Sequence, residues 1–220
     1  VWPIIERAVP AATIPGERAS PTQPFPTKPP AFALQGLTED DLIDFTPALR
    51  AEAVQRLENF TYGPLFTPPS LPQGDKRGTI LMPGAGGGAN WTGAGIDPES
   101  GVLFVPSRDS ATVPRMGTLD GDESNFNYFR LNFLGVAGPQ GLPILKPPYS
   151  TITAFDMNSG EILWRVPNGA GSAQVENSPA LEGIDLPPLG GGGRHAVLVT
   201  SSLLIHGQNA GYGPLLVARN

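Results

Sequence analysis

The segment Gly84–Trp91 contains the residue types of this chain that are best suited to binding a small molecule. Glycine has no Cβ, so a glycine-rich backbone can approach a ligand closely. Asn90 adds an amide that both donates and accepts hydrogen bonds, and Trp91 adds a flat aromatic face. This combination suits a planar, carboxylated, quinone-like ring. The alternative is a loop that needs glycine for its own turns, with Trp91 in the hydrophobic core.

Other chemistries have weaker support in the sequence. The glycine run lacks the Gly-Lys-Ser/Thr ending of a phosphate-binding loop, and the chain has no Gly-x-Ser-x-Gly hydrolase motif. His195 and His206 have no partner at metal-binding spacing, so we interpret them as ordinary surface or strand residues. Asp97 and Asp156 could act as general bases, but each opens a predicted hairpin turn, where local hydrogen bonds favour aspartate. We therefore expect a structural role for both and assign no catalytic residue.

Three segments have the alternating pattern of β-hairpins, at residues 91–107, 151–166 and 196–218. In the clearest one, apolar residues alternate with polar ones on both sides of the turn Asp156–Gly160. Trp164, in its second strand, offers a large apolar face to a neighbouring sheet. Such a hairpin cannot bury both of its faces alone. It therefore predicts neighbours of its own kind, as in the blades of a β-propeller.

Two domains are expected. In the first, at residues 1–77, prolines recur every few residues up to Pro30, which blocks helix formation and favours an ordered, extended wrapping loop. Thr46 and Pro47 then predict the start of a short helix near 46–59. The second domain, at residues 78–220, is expected to contain the propeller blades.

Three further expectations concern the second domain. The pattern predicts strands at residues 79–82 and 91–96. The long stretch at 108–148 has weak periodicity, so we interpret it as an insertion between blades without regular structure.

Composition supports an all-β fold and excludes nucleic acid as a partner, disulfides and thiolate metal sites. The 220 residues include 28 Gly and 26 Pro with only 15% charged residues, which favours short strands joined by long Pro/Gly-rich loops. The formal net charge is -6 and no Lys/Arg run exists, so nucleic acid is excluded as a partner. The absence of cysteine excludes disulfides and thiolate metal sites. No apolar stretch approaches the roughly 20 residues that span a bilayer.

The chain resembles the C-terminal part of the pyrroloquinoline quinone (PQQ)-dependent dehydrogenases, the group of membrane glucose dehydrogenase and related sugar and alcohol quinoproteins. The resemblance covers nearly the whole chain and rests on motifs in the family's order. These motifs are Val1–Ile4 with Glu6 and Arg7, Pro21–Pro30, Asp40–Pro47, Gly63–Ser70, Gly87–Trp91 with Asp97 and Pro98, Gly138–Pro143, Lys146–Tyr149, and the Ala154, Asp156, Gly160 and Trp164 hairpin.

The resemblance implies an incomplete portion of an eight-bladed quinoprotein β-propeller, in which each blade tryptophan docks on the next blade. Its central pocket would bind PQQ and calcium. The enzyme would oxidise an aldose or alcohol and pass electrons to ubiquinone or cytochrome c. The resemblance also implies a periplasmic location, or the periplasmic face of the inner membrane, with membrane association through an N-terminal domain outside this sequence.

The resemblance further implies the roles of individual residues. In alcohol-oxidising members of the family, an Asn-Trp pair after a glycine run lines the quinone pocket, which implies that Asn90 and Trp91 bind the cofactor. Membrane glucose dehydrogenase differs at the Asn position. The family's catalytic aspartate and calcium ligands precede the segment matched by this chain. The 220-residue chain alone is therefore expected to be inactive. Because the chain begins without Met and its last strand would leave a blade half built, both ends are expected to be truncations of a longer protein. The alternative is a non-catalytic β-propeller that serves as a binding scaffold in the cell envelope.

Overall fold

A computed structural model describes residues 2–119, 122, 125–191, 193, 195–210 and 213–220. Strands dominate the regular structure of these residues, and the predicted all-β fold is confirmed. The strands are β1 (Ile4–Ala8), β2 (Thr22–Pro26), β3 (Gly95–Asp97), β4 (Val102–Arg108), β5 (Thr112–Thr118), β6 (Tyr128–Gly135), β7 (Ser150–Asp156), β8 (Glu161–Pro167), β9 (Val197–Val199), β10 (Leu204–Ala210) and β11 (Gly213–Arg219). The α-helices are α1 (Pro47–Leu57) and α2 (Ala173–Glu176), and short 3-10 helices lie at Glu39–Asp41, Pro139–Gly141 and Pro179–Leu181.

The main blade is a four-stranded antiparallel sheet in the order β3-β4-β7-β8. Its central strand β7 is buried on both faces, with Ile152 and Ala154 fully buried. The outer strand β8 exposes Leu163 and part of Trp164, because no further strand covers it in the described part of the chain.

The predicted strand at 91–96 is wrong in its position. Residues 91 and 92 lie in a turn, residues 93 and 94 have no regular structure, and the strand begins only at Gly95 as β3. The turn is closed by a hydrogen bond of 2.8 Å from Gly93 N to Asn90 O, and Gly93 has a φ of +69°, outside the range of a strand. The predicted strand at 79–82 is also absent, since Thr79 and Leu81 make only single β-bridges.

The insertion at 108–148 differs from its prediction in two ways. It lies between β4 and β7, which pair with each other, so it interrupts a blade and does not separate two blades. It also contains regular structure, because β5 and β6 pair as an antiparallel hairpin. Pro114 hides this hairpin in the sequence, but the register shift between Pro114 and Met116 accommodates the proline.

The N-terminal segment, described from Trp2 onwards, contacts the main blade at several points. β1 and β2 form a two-stranded ribbon, in which both strands are edges and therefore tolerate proline. The chain after the ribbon contacts the β7–β8 hairpin, where the Lys28 ammonium pairs with the Glu161 carboxylate. Arg165 Nη2 donates to Ala31 O over 2.6 Å, and Ser107 Oγ donates to Phe32 O over 3.0 Å.

The predicted short helix is confirmed as α1. The Thr46 hydroxyl caps it by accepting from Leu49 N over 3.1 Å, and the stripe of Leu49, Ala53 and Leu57 is buried. This stripe belongs to a core that also takes residues from the insertion and from the segment after β8. Its members are Leu37, Leu42, Ile43, Leu49, Ala53, Leu57, Ile80, Met82, Ala111, Val113, Leu142, Ile144, Leu145, Tyr149, Val175, Leu181 and Leu189.

A second, three-stranded sheet has the order β9-β10-β11. It contacts the main blade closely, since a Cβ at Gly95 would lie 2.7 Å from Val199 Cγ2 and 2.9 Å from Val197 Cγ2. Trp164 and Phe104 of the main blade, with ring centroids 5.7 Å apart, border the gap between the two sheets. The described residues therefore form an open portion of a propeller. Their helices are all too short to cross a bilayer.

Candidate functional site

The glycine loop, defined as residues 84–91, is tied to the segment that leads from β4 into the insertion. Gly84 N donates to Ser110 O over 3.1 Å, and Arg108 N donates to Gly88 O over 2.9 Å. Between these two backbone bonds, Ala85 N donates to the Thr112 hydroxyl over 2.8 Å. The loop is therefore anchored along its length by one neighbouring segment.

Several glycines of the loop are required by the fold itself. A Cβ at Gly84 would lie 2.3 Å from Ser110 O, and a Cβ at Gly88 would lie 2.5 Å from Ala33 Cβ. Gly87 has a φ of +67°, which disfavours other residues. For these three positions, the alternative of a loop that needs glycine for its own conformation is supported.

The same alternative placed Trp91 in the hydrophobic core, and the structure contradicts this. The Trp91 side chain is 98% exposed, so it is not a core residue. Asn90 is also exposed, and its amide stiffens the loop: Nδ2 donates to Gly86 O over 3.4 Å, while Oδ1 accepts from Trp91 N over 2.8 Å. The amide group can make four hydrogen bonds, so these two leave capacity for a ligand. The two predicted site residues thus lie together on the surface, at the end of the anchored loop.

The anchoring segment Arg108–Thr112 also lines a cavity of about 330 Å³. Tyr149 lines it and is only 9% exposed, and its hydroxyl has no hydrogen-bond partner among the described residues. Burial raises the pKa of this phenol, as does the nearby Asp44 carboxylate. Asp109 also lines the cavity, and burial raises its pKa although Leu34 N donates to its carboxylate over 2.9 Å.

Sequence reasoning did not identify Asp109 and Tyr149 as members of one cavity. A signal was present, since each lies at a boundary of the insertion, but only the pairing of β4 with β7 brings those two boundaries together. Asp109 N donates to Tyr149 O over 3.0 Å at this junction.

Comparison with known proteins gives the family. Residues 1–214 match the family model described as "PQQ: Glucose/ethanol/alcohol dehydrogenase, beta-propeller domain". The chain belongs to this family. The predicted resemblance to the PQQ-dependent dehydrogenases is therefore confirmed.

The curated relatives are dehydrogenases at low identity. The chain is 30% identical over 200 residues to the glycerol dehydrogenase large subunit of Gluconobacter oxydans, covering 79% of this chain and 26% of that protein. It is 26% identical over 185 residues to the quinate/shikimate dehydrogenase (quinone) of Acinetobacter baylyi, covering 76% and 22%. It is 26% identical over 190 residues to the quinoprotein glucose dehydrogenase of Escherichia coli, covering 75% and 22%. The chain thus spans about a quarter of the length of these relatives, and no solved structure matches it.

The glycine loop of this PQQ-family chain fits part of a PQQ site. PQQ is a planar quinone that carries carboxylates, so a free indole face and an amide with unused hydrogen-bonding capacity are suitable neighbours for it. Trp91 and Asn90 provide these groups on the surface of the propeller portion. In the described part of the chain, no group of three or more His, Cys, Asp or Glu side chains could hold a metal ion.

The remaining polar candidates of the PQQ-family chain have structural surroundings. Asp97 and Asp156 both bond backbone amides within their own hairpin turns, as expected. His206 is a strand residue in β10, as one of the two interpretations expected, and it is 1% exposed. Arg219 Nε donates to His206 Nε2 over 3.1 Å, and burial lowers the pKa of His206. His195 is half-buried, and its Nε2 has no hydrogen-bond partner in the part of the chain that the structure describes.

Proposed function

We propose that this chain is part of a dehydrogenase that binds PQQ and oxidises an aldose or another alcohol. The observation that carries the proposal is Trp91, which is 98% exposed at the end of a loop that three hydrogen bonds tie to residues 108–112. Exposing a whole indole face costs hydrophobic free energy unless a partner covers it. The family supports a planar quinone as that partner.

The chain's own residues would bind and orient this cofactor. The Trp91 ring would pack against one face of the quinone, and the Asn90 amide would hydrogen-bond a carbonyl or carboxylate at its edge. The glycine loop would hold both side chains on one surface, because its backbone is tied to Arg108–Thr112. The chemistry that PQQ supplies is the acceptance of two electrons from the substrate alcohol.

The proposed substrate is a small polyhydroxylated molecule. The relatives' names refer to glycerol, quinate or shikimate, and glucose, which share secondary or primary hydroxyl groups on a compact carbon skeleton. We include calcium in the proposal as the ion that accompanies PQQ. The described residues contribute no cluster of ligands for it, so the proposal assigns none of them to the metal.

The proposed electron acceptor is ubiquinone or cytochrome c, and the proposed location is the periplasm or the periplasmic face of the inner membrane. The word "quinone" in the name of the quinate/shikimate relative supports the first acceptor. The lack of cysteine is compatible with an oxidising compartment. Membrane association through a domain outside this sequence belongs to the same proposal.

The experiment is calorimetric titration of PQQ with calcium into the full-length protein that contains this chain. We expect Trp91→Ala to weaken binding by roughly tenfold and Trp91→Phe to weaken it less, because phenylalanine keeps an aromatic face. Asn90→Asp keeps an acceptor for Trp91 N but loses the NH₂ group, so it should weaken binding of an anionic cofactor. Leu216→Ala, at another exposed apolar side chain, is the control and should leave the affinity unchanged.

Two results would contradict the proposal. Absence of binding by the wild-type protein would favour a non-catalytic propeller scaffold. Binding that is equally tight in Trp91→Ala and Asn90→Asp would leave the cofactor in place but remove these two residues from its site.

A further inference from the structure

The insertion between β4 and β7 interrupts a blade, yet its first strand contacts the glycine loop. β5 begins at Thr112, and the main chain of Thr112 forms a β-bridge with Leu81, just before the loop. Leu81 N donates to Thr112 O over 2.8 Å, and Thr112 N donates back over 3.4 Å. The entry to the glycine loop is thus paired with the insertion and not with the strands of the blade.

The Thr112 side chain adds a contact inside the loop. Its Oγ1 accepts a hydrogen bond of 2.8 Å from Ala85 N. The other anchors of the loop to this segment join backbone atoms, at Gly84 with Ser110 and at Gly88 with Arg108. Of these three anchors, the Thr112 hydrogen bond involves a side chain, so a substitution at Thr112 can remove it and leave the backbone hydrogen bonds in place.

The fit around this hydroxyl is close. A Cβ at Gly84 would lie 3.0 Å from both Oγ1 and Cγ2 of Thr112, in addition to its contact with Ser110 O. The loop therefore packs directly against the branched side chain, and its path depends on where that side chain lies. Asn90 and Trp91 end the same loop, five and six residues after Ala85.

We propose that Thr112 is a positioning residue for the PQQ site: its hydroxyl holds the glycine loop against the insertion and so sets the placement of Asn90 and Trp91. This inference rests on the proposed function. Thr112 acts through the loop and does not contact the cofactor. The insertion is then a brace for the cofactor loop, which gives a reason for its position inside the blade.

The test compares three substitutions in the full-length protein by calorimetric titration of PQQ with calcium. Thr112→Val keeps the shape of the side chain and removes the acceptor, and we expect Kd to rise about threefold to tenfold. Thr112→Ser keeps the hydroxyl, so we expect a Kd within about twofold of the wild type. Thr118→Val makes the same chemical change at an exposed threonine of the same strand and should have no effect.

A double-mutant cycle separates positioning from general destabilisation. If Thr112 acts through Trp91, the effect of Thr112→Val on Kd should largely disappear in the Trp91→Ala background. Additive effects of the two substitutions would overturn the inference. Amide hydrogen exchange provides a direct measurement, since protection of Ala85 N–H should be lost in Thr112→Val and kept in Thr112→Ser.

The outcomes distinguish this inference from the proposed function. A wild-type protein that does not bind PQQ contradicts the proposed function. A wild-type protein that binds PQQ while Thr112→Val binds equally well contradicts the inference alone. Should Thr112→Val fail to fold, as judged by circular dichroism, Thr112→Ala replaces it, because it removes the same hydroxyl without adding bulk.

Discussion

The two hairpin turns of the main blade have the same local construction and different coverings. Asp97–Gly101 joins β3 to β4, and Asp156–Gly160 joins β7 to β8. In the first turn Gly101 N donates to Asp97 O over 2.9 Å, and in the second Gly160 N donates to Asp156 O over 2.7 Å. The two glycines have φ values of +72° and +71°. Each turn therefore follows the same local hydrogen-bonding pattern.

The coverings differ because the turns have different neighbours. A Cβ at Gly101 would lie 2.8 Å from Asn158 Nδ2, which is the end of a side chain in the neighbouring turn. A Cβ at Gly160 would lie 2.6 Å from Cζ2 of Trp2, a large ring of the N-terminal segment. The comparison shows that a sequence pattern can determine the shape of a turn, while distant parts of the chain decide how tightly the turn is enclosed.

The largest predicted effect is at the enclosed turn. Gly160→Ala should destabilise the protein by about 2–4 kcal/mol, because it combines a positive φ with a clash against an aromatic ring. Gly101→Ala should cost only about 1–2 kcal/mol, since the side-chain end of Asn158 can move aside. Urea unfolding followed by circular dichroism measures both. An equal loss of stability in the two variants would show that the Trp2 ring over Gly160 does not add to the destabilisation.

Removing the Trp2 ring should make the destabilisation caused by the two glycine substitutions more alike. In a Trp2→Ala background, we expect the cost of Gly160→Ala to fall to that of Gly101→Ala, a coupling of about 1–2 kcal/mol in a double-mutant cycle. The same background should leave the cost of Gly101→Ala unchanged, which serves as the control. A persistent difference between the turns would assign it to the backbone of β7 and β8 and not to Trp2.

The smallest expected effect is the lowering of the pKa of the aspartate that opens each turn, and its direction should be the same in both turns. The Ser100 hydroxyl, with the amide of Glu99, lowers the pKa of Asp97 below 3.8, and Ser159 with Asn158 does the same for Asp156. A lowered folded-state pKa contributes stability above the unfolded pKa, and this contribution is lost as pH falls through the folded pKa. Carboxyl NMR titrations should show both midpoints below 3.8. A normal midpoint at one turn would mean that the local pattern is not shared.

Two tryptophans show the same difference between local pattern and distant contacts. The hairpin pattern predicted that Trp164 faces a neighbouring sheet, and in the structure Trp164 borders the gap next to the β9–β11 sheet. No periodic pattern surrounds Trp91, so its sequence context left both a core position and a binding face open. The structure places it on the surface, 98% exposed. The prediction that it binds the cofactor stays a prediction for the titration to test.

The insertion shows where pattern reasoning failed and why. Its weak periodicity comes from Pro114, the register shift after it, and a β6 strand that is exposed along most of its length. A strand without a buried face has no alternating pattern to recognise. The burial of His206 was not predicted for a related reason, since it depends on residues such as Arg219 on the paired strand.

Features that depend on residues within a few positions of one another can be predicted from the amino-acid sequence. These are the Asp-to-Gly turns, the Thr46 cap of α1, the all-β composition and the motifs that resemble the PQQ family. Long-range contacts in the folded chain are needed to see that Trp2 covers Gly160, that the insertion lies inside a blade, and that Thr112 bonds to the glycine loop. Local hydrogen bonds need only neighbouring residues, whereas enclosure and bracing need contacts between segments that are far apart in the chain.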